Sequence, residues 1–349
     1  MSLRAKGTIT FLVLFSLTIL FYLMINRSKS FSQTGMWTKI SENLEFDHFP
    51  AYTDLIFFDR DNGISLSLMS VKITKDGGRT WRDQLQFNNT VLSSLAVTKS
   101  DIWIVGEQLG KREQKSEPVL LKAGKKELLW TKVNFDTDSK EKAWRKIERL
   151  DDICFQNEEK FWAVGDSIII ESEIRQNTAI ITNVFDLNED IHHIFCGNTG
   201  KIWALGDNGI VAFYDKSRWE TRNLGKDRLF TGISINGPDV WLTGRSISDS
   251  ESTIVKGVLL RSRDDGLTWE DKSPASTDGI TDIYFNQNIG WLVGLNGSIF
   301  RTDDGGETWR RVKSPTTNNL MSIFFLNSTN GWIGGEKGTI LEFHGEPPR

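Results

Sequence analysis

The sequence predicts an all-β protein, a seven-bladed β-propeller entered through an apolar N-terminal segment and closed by its own first strand. Three observations carry that reading. A Trp-x-x-Gly unit recurs at Trp103, Trp162, Trp203, Trp241, Trp291 and Trp332, with separations of 59, 41, 38, 50 and 41 residues. A period near 40 with strand-like content suits a propeller blade and excludes 34-residue helical repeats. A turn motif recurs as Thr74-Lys75-Asp76-Gly77-Gly78-Arg79-Thr80-Trp81, Ser262-Arg263-Asp264-Asp265-Gly266-Leu267-Thr268-Trp269 and Thr302-Asp303-Asp304-Gly305-Gly306-Glu307-Thr308-Trp309. Finally, Trp37-Thr38-Lys39-Ile40 looks like Trp130-Thr131-Lys132-Val133 and like the segment 309–312, which are outer strands by their place in the repeat.

The N-terminus comes first. Arg4 and Lys6 precede an uncharged run from Ile9 to Ile25, and Arg27 and Lys29 end it. A helix of that length spans about 26 Å, close to the roughly 30 Å of a bilayer's hydrocarbon core. Residues 1–30 are therefore expected to be a transmembrane anchor through 9–25, the alternative being a cleaved signal peptide. Equal positive charge on both sides fixes no orientation. A short N-terminus ahead of a large domain makes export of residues 31–349 the default. The exported side is then a periplasm, a cell surface or a thylakoid lumen.

One repeat unit reads completely. Ile283 and Phe285 alternate with polar neighbours in a first strand, and a turn at 286–290 leads to Trp291-Leu292-Val293. Gly294 to Gly297 closes the next hairpin, Asp304-Gly305-Gly306 the one after, and 309–312 is the outer strand. First strands recur near Leu55, Leu95, Ile153, Ile194, Ile233, Ile283 and Ile323, which makes seven blades. The seventh stops at Phe343 without an outer strand, and Trp37 to Ile40 supplies one. In the recurring turn, Asp76, Asp264 and Asp304 can accept backbone N–H groups, and Gly78, Gly266 and Gly306 supply positive φ. Trp81, Trp269 and Trp309 can wedge between sheets. These nine residues are structural.

Composition narrows the function. Forty-two Lys+Arg against 46 Asp+Glu give a net charge of −4, so no global basic field favours nucleic acid. The four His and two Cys show no metal-ligand spacing, and no metal or cofactor is expected. Register puts Cys154 and Cys196 on opposite faces of neighbouring strands. Two separate buried thiols are expected, with a disulfide as the alternative. Asp59-Arg60-Asp61-Asn62-Gly63 resembles the start of a calcium loop, but its spacing is one residue short and no Glu closes it, so it reads as a hairpin turn.

The recurring turns resemble Asp-box (BNR) repeats. The longer unit, Ile-x-Phe followed by Gly-Trp-x-x-Gly and then Thr-x-Asp-Gly-Gly-x-Thr-Trp, resembles the photosystem II stability/assembly factor family. The resemblance is sharpest over 280–343 and recognisable at 54–81 and 230–272. It implies an exported, non-enzymatic propeller that binds assembling membrane-protein subunits. Two departures are visible: the N-terminus has no cysteine for lipid attachment, and the middle blades lack Asp boxes. Asp boxes also occur in sialidases, so a glycoside hydrolase or a sugar-binding propeller is the alternative. Such an enzyme needs an arginine cluster and a Tyr activated by Glu. Outside the anchor the tyrosines are Tyr52, Tyr214 and Tyr284; Tyr284, beside Ile283 on a first strand, could face the channel, but no Glu pairs with it in the sequence pattern.

Insertions point to one face for a partner. Asp-box turns and strand 1–2 turns share one face, strand 2–3 turns and inter-blade links the other. The segments 107–118, 136–149 and 245–256 all lengthen the second face, and lengthened loops on a rigid scaffold are common binding elements. Register places Glu107, Asp166, Asp207, Arg245, Leu295 and Glu336 in a ring there, beside Lys142, Trp144, Arg145, Lys146 and Arg149. The expectation is a mixed-charge docking surface for a protein partner, with Arg145, Arg149 and Arg245 as bidentate donors and Trp144 as an apolar anchor.

Overall fold

The computed structural model describes residues 36–41, 54–111, 114–136, 142–197, 200–246, 255–275 and 277–345. They form seven sheets, one per blade: 54–86, 90–132, 152–186, 191–223, 228–271, 280–311 and 320–344. Strand order within the sheets follows the chain from the axis outward, except that the outermost strand is supplied by residues 36–41 in blade 7 and by residues 134–135 in blade 3. Residues of the seven first strands line one central channel of about 470 Å³. The apolar run 9–25 lies outside the described residues, and no described helix is long and apolar enough to cross a membrane.

Burial explains the pattern of the strands. Second strands such as Ile202–Gly206 are buried at every position, because each sheet is covered on both faces by neighbouring blades. Outer strands such as Arg82–Gln86 are largely exposed. The tryptophans of the Trp-x-x-Gly unit are among the most deeply buried side chains of the protein.

The seventh blade closes as the sequence predicts. Met36–Ser41 pairs antiparallel with Ile340–His344, with Trp37 opposite Phe343 and Thr38 opposite Glu342. The Trp37 ring is buried, its centroid 5.4 Å from Trp291, 5.8 Å from Phe325 and 5.1 Å from Phe343. The two extremities of the described chain are thus joined through one aromatic cluster.

The recurring turns share one hydrogen-bond plan. Asp304 Oδ1 accepts from the Thr308 N–H at 2.9 Å and the Thr302 hydroxyl at 2.6 Å, while Oδ2 takes the Thr308 hydroxyl. Asp76 and Asp264 repeat the arrangement. These bonds, from the threonine hydroxyls foremost, hold the Asp264 and Asp304 carboxyls down at about 2. The glycine is required by what lies beneath it. Gly306 has φ +86°, and a Cβ there would stand 2.3 Å from the Trp241 ring of the preceding blade. Gly266 sits the same way on Trp203. Asp59 caps its own turn by accepting the N–H groups of Asp61 and Asn62, as a hairpin turn should.

Two features depart from the sequence reading. Cys154 and Cys196 are not separate thiols but a disulfide, with Cα atoms 5.5 Å apart. Opposite-face placement keeps two side chains apart only within one sheet. In a propeller, however, one face of each sheet meets the opposite face of the next, so that placement brings them together. The second departure is in blade 3, which has a fifth strand: Asn134–Phe135 runs parallel to Thr178–Asp186 on its outer edge. Two residues carry too little pattern to be read as a strand.

Trp37→Ala should destabilise the fold by about 3–5 kcal/mol, the range for removing a buried aromatic ring. Urea unfolding at equilibrium measures this, and a loss below about 1 kcal/mol would show that closure does not rest on that ring.

Candidate functional site

The inserted-loop face is built around the link into blade 3. A 3₁₀ turn at Lys142–Lys146 carries Arg145 and Lys146 exposed to solvent. Trp144 is half-buried, its ring 5.7 Å from Phe135 and packed against the core between blades 2 and 3. Trp144 thereby pins the link to the body. Asp166, at φ +47°, accepts the N–H groups of Glu148 and Arg149 at 2.7 and 3.2 Å. Arg149 Nε lies 3.0 Å from Asp151 and 3.7 Å from Asp166. From the neighbouring hairpin, Lys115 reaches Glu148 at 2.8 Å.

The rest of the predicted ring lies at strand 2–3 turns. Glu107 pairs in register with Pro118, and Glu336 accepts from the Asn319 side chain at 2.9 Å. Asp207 lies 3.6 Å from His192. Arg245 is exposed near the end of Asp239–Ser246. The fold thus places the ten predicted docking residues at one mouth of the channel, with Lys142 located by its backbone alone. Trp144 and Asp166 also have structural duties there, and Arg149 is partly engaged by its acidic neighbours.

The channel holds a group of side chains that the sequence reading missed. Asp282 accepts the N–H of Ile283 at 2.8 Å and that of Ile323, in the next blade, at 2.9 Å. Asp152 does the same with Ile153 at 2.8 Å and Ile194 at 3.0 Å, and takes the Ser94 hydroxyl at 2.6 Å. Asp54 bonds Leu55 at 2.8 Å and is also held by the Leu95 N–H. Each carboxyl therefore clasps its own strand to the first strand of the next blade. Asp54, Asp152 and Asp282 occupy one repeat position, a regularity visible only once the blades are aligned.

Burial dominates the titration of Asp54 and Asp282. It pushes Asp54 up to about 7 and Asp282 to about 6, against the lowering effect of the backbone donors. For His193, burial favours the neutral ring, but the bond it donates to Asp152 together with the negative charges of Asp152, Asp151 and Asp207 outweighs burial, and the pKa rises. Among the described residues, no cluster of three or more His, Cys, Asp or Glu is arranged to hold a metal.

Tyr284 does not face the channel. Its ring stacks on Phe325 at 4.5 Å inside the interface between blades 6 and 7, and burial raises its pKa. That placement removes the tyrosine on which the sialidase-like alternative depended.

Taken together, the geometry defines a closed seven-bladed Asp-box propeller with lengthened loops on one mouth. Residues 250–316 and 270–344 match the family described as "Photosynthesis system II assembly factor YCF48". A photosystem II assembly lipoprotein, Ycf48 of Picosynechococcus sp., is 29% identical over 161 residues, covering 42% of this chain and 41% of that protein. The aligned part is thus about two fifths of the relative's length. The structure described as "YCF48 bound to D1 peptide" aligns with TM-score 0.65 at 18% identity, over 90% of this chain and 98% of that one. YCF48 from Cyanidioschyzon merolae aligns with TM-score 0.66 at 19% identity, over 88% and 98% respectively. The chain is similar to the photosystem II assembly factor-like family of Asp-box propellers, and the two solved structures share its fold.

Asp54 and Asp282 bind protons in the folded state that the unfolded chain has already released between about pH 4 and 7. Stability should therefore fall as pH rises through that window and level off above about pH 7, and the raised His193 acts in the same direction. The Asp-box carboxyls work oppositely at the acid end, where stability falls as pH drops below about 4 toward 2. A melting temperature higher at pH 5 than at pH 8, with the difference reduced in Asp54→Asn, is expected from a thermal melt series. An unchanged difference in Asp54→Asn would remove Asp54 as its source.

Proposed function

We propose that this protein is a non-catalytic, membrane-tethered propeller on the exported side of a membrane, where it holds a membrane-protein subunit during assembly. The observation that carries the reading is the mixed-charge mouth built by the inserted loops. There Arg145 and Arg245 are exposed beside the acidic Glu107, Asp166, Asp207 and Glu336. A rigid scaffold with charged loops suits selective recognition of a polar segment, since charge complementarity governs partner choice and on-rate. The resemblance to photosystem II assembly factors, and the D1 peptide bound in one structure of the same fold, supply the class of partner. The tether is the apolar run 9–25.

The exported location has separate support in the Cys154–Cys196 disulfide, since such bonds persist in oxidising compartments and are rare in the cytosol. Protein alkylated in intact cells before lysis should carry no label at either cysteine unless it is first reduced. Labelling of both thiols without reduction would place the domain in a reducing compartment.

The docking face is tested by Arg145→Glu combined with Arg245→Glu. Capture of membrane-protein subunits from solubilised native membranes should fall by about tenfold or more, as for loss of charged contacts at an interface. The melting temperature should stay within about 2 °C, because exposed charges contribute little to stability. Undiminished capture would move the docking site off this face.

A further inference from the structure

The repeat position held by Asp54, Asp152 and Asp282 occurs once in each blade, just before the Leu or Ile that marks the first strand. Serine fills it at Ser94 and Ser322, histidine at His193, and Gly232 leaves it without a side chain. All seven residues line the channel. First strands begin at the inserted-loop face, as Asp54–Phe57 and Asp152–Phe155 do with the aspartate itself, so the ring lies just inside that mouth. Asp151, one residue nearer the mouth, lines the channel as well. Among the described residues, the titratable groups of the lining are these four carboxyls and His193, and no lysine or arginine is present. Arg149 reaches Asp151 at 3.0 Å but is not part of the lining. Asp54 is near enough to Asp152 and Asp282 for each to oppose its ionisation.

Two buried hydroxyls of this region are left unsatisfied. In blade 2, Ser94 donates to Asp152 of the next blade at 2.6 Å. Ser322 of blade 7 stands in the same relation to Asp54 of blade 1, yet its hydroxyl has no partner among the described residues, although the residue is only 8% exposed. The second orphan lies behind Gly232. The Thr243 hydroxyl is fully buried and unpartnered, and a Cβ on Gly232 would stand 2.7 Å from it and 3.5 Å from Asp282 Oδ1. Asp54 and Asp282 accept from backbone N–H groups, but an ionised carboxylate has room for about four donors. Both are partly exposed. Acceptors short of donors, in a lining without positive side chains beyond His193, suit a cation that carries N–H groups.

We infer that the channel receives a lysine side chain from the partner segment docked at the inserted-loop mouth, with its ammonium group held by Asp54 and Asp282. The channel volume of about 470 Å³ admits such a side chain. Lysine suits the ring better than arginine, because a compact charge with rotatable donors needs no planar, bidentate acceptor. Asp207 and Glu336 at the mouth draw the same charge inward, since a cleft lined by one sign of charge focuses the field. The inference rests on the reading of that mouth as the docking face, and it specifies what the docked segment carries.

The probes are two end-blocked peptides of glycine and serine, one with a single central lysine and one with norleucine in its place, together with n-butylammonium as a free cation. Binding to the full-length protein in detergent is followed by ligand-observed NMR. Near neutral pH the lysine peptide should bind at least about tenfold more tightly than the norleucine peptide, as for a charge-assisted bond to a buried carboxylate. Its affinity should rise at least about threefold from about pH 5.5 to 7.5. Over that range Asp54, at about 7, and Asp282, at about 6, ionise beside Asp151 and Asp152, while the raised His193 gives up its proton. Asp54→Asn combined with Asp282→Asn should abolish the preference for lysine. Equal affinity of the two peptides, no binding of the lysine peptide at about 10 mM, binding of n-butylammonium alone, or a preference that survives the double variant would overturn the inference. The peptide comparison is made on the unaltered protein, so it decides the matter even where a variant fails to fold. Arg145→Glu with Arg245→Glu leaves the channel intact and should keep the lysine preference. A misplaced docking face therefore shows as undiminished capture in that variant, whereas failure of the channel inference shows as a lost peptide contrast whatever the capture.

Discussion

The architecture depends on how the blades cover the strand 2 tryptophans that six of the seven carry. A four-stranded sheet with two apolar faces cannot stand alone in water, because each face needs another sheet against it. In the filled junctions the cover is a turn whose backbone lies directly on an indole. Gly306 over Trp241 and Gly266 over Trp203 leave no room for a side chain. That approach sets the rest of the motif. The glycine takes a positive φ, the aspartate secures the turn that presents it, and the threonines secure the aspartate. A chain of such contacts has no natural end, so the first and last blades must also meet. They do so where Leu55 and Phe57 of blade 1 pack on Trp332 and Ile340 of blade 7, while Trp37 fixes the outer strand of blade 7 through the aromatic cluster of Trp291, Phe325 and Phe343.

Where a box is absent, the junction is held by other means. Around Trp162 stand Phe185, Tyr214 and Trp219, with ring centroids 5.7, 5.2 and 5.9 Å away. The same two blades are joined at their inner strands by the Cys154–Cys196 bond, which closes a loop of 42 residues. On chain-entropy grounds such a link contributes about 4 kcal/mol. The disulfide thus coincides with a junction that lacks the box, and covalent linkage takes over part of what packing supplies elsewhere.

The features legible in the sequence were those set by repeated local chemistry. The Trp-x-x-Gly spacing, the three Asp boxes and the likeness of Trp37 to Trp309 are each written in adjacent residues, and they gave blade number, closure and the face bearing the loops. What stayed hidden arises between blades. Asp54, Asp152 and Asp282 look like unrelated acids until alignment puts them at one level of the channel, clasping successive first strands. Strand alternation within a single sheet hides the Cys154–Cys196 bond, because contact in a propeller is made between opposite faces of different sheets. Trp144, expected as an apolar anchor for a partner, has a packing role that its sequence neighbourhood does not reveal. Its indole packs beside Phe135, whose two-residue strand has no signature of its own.

The two ends of the toroid are therefore under different constraints. On the Asp-box face, the boxes of blades 1, 5 and 6 lie against preceding-blade residues, so a change in such a turn disturbs the junction beneath it. On the opposite face the link 142–149 is held by a few defined contacts, namely the Trp144 ring, the Asp166 carboxylate and the ion pairs of Arg149. Arg145, Lys146 and Arg245 are exposed at this mouth. Their charge can vary without reaching the core, because exposed ion pairs contribute little to stability whereas buried junctions contribute much. A scaffold divided in this way can change the charges of one mouth while the packing that closes the ring stays the same.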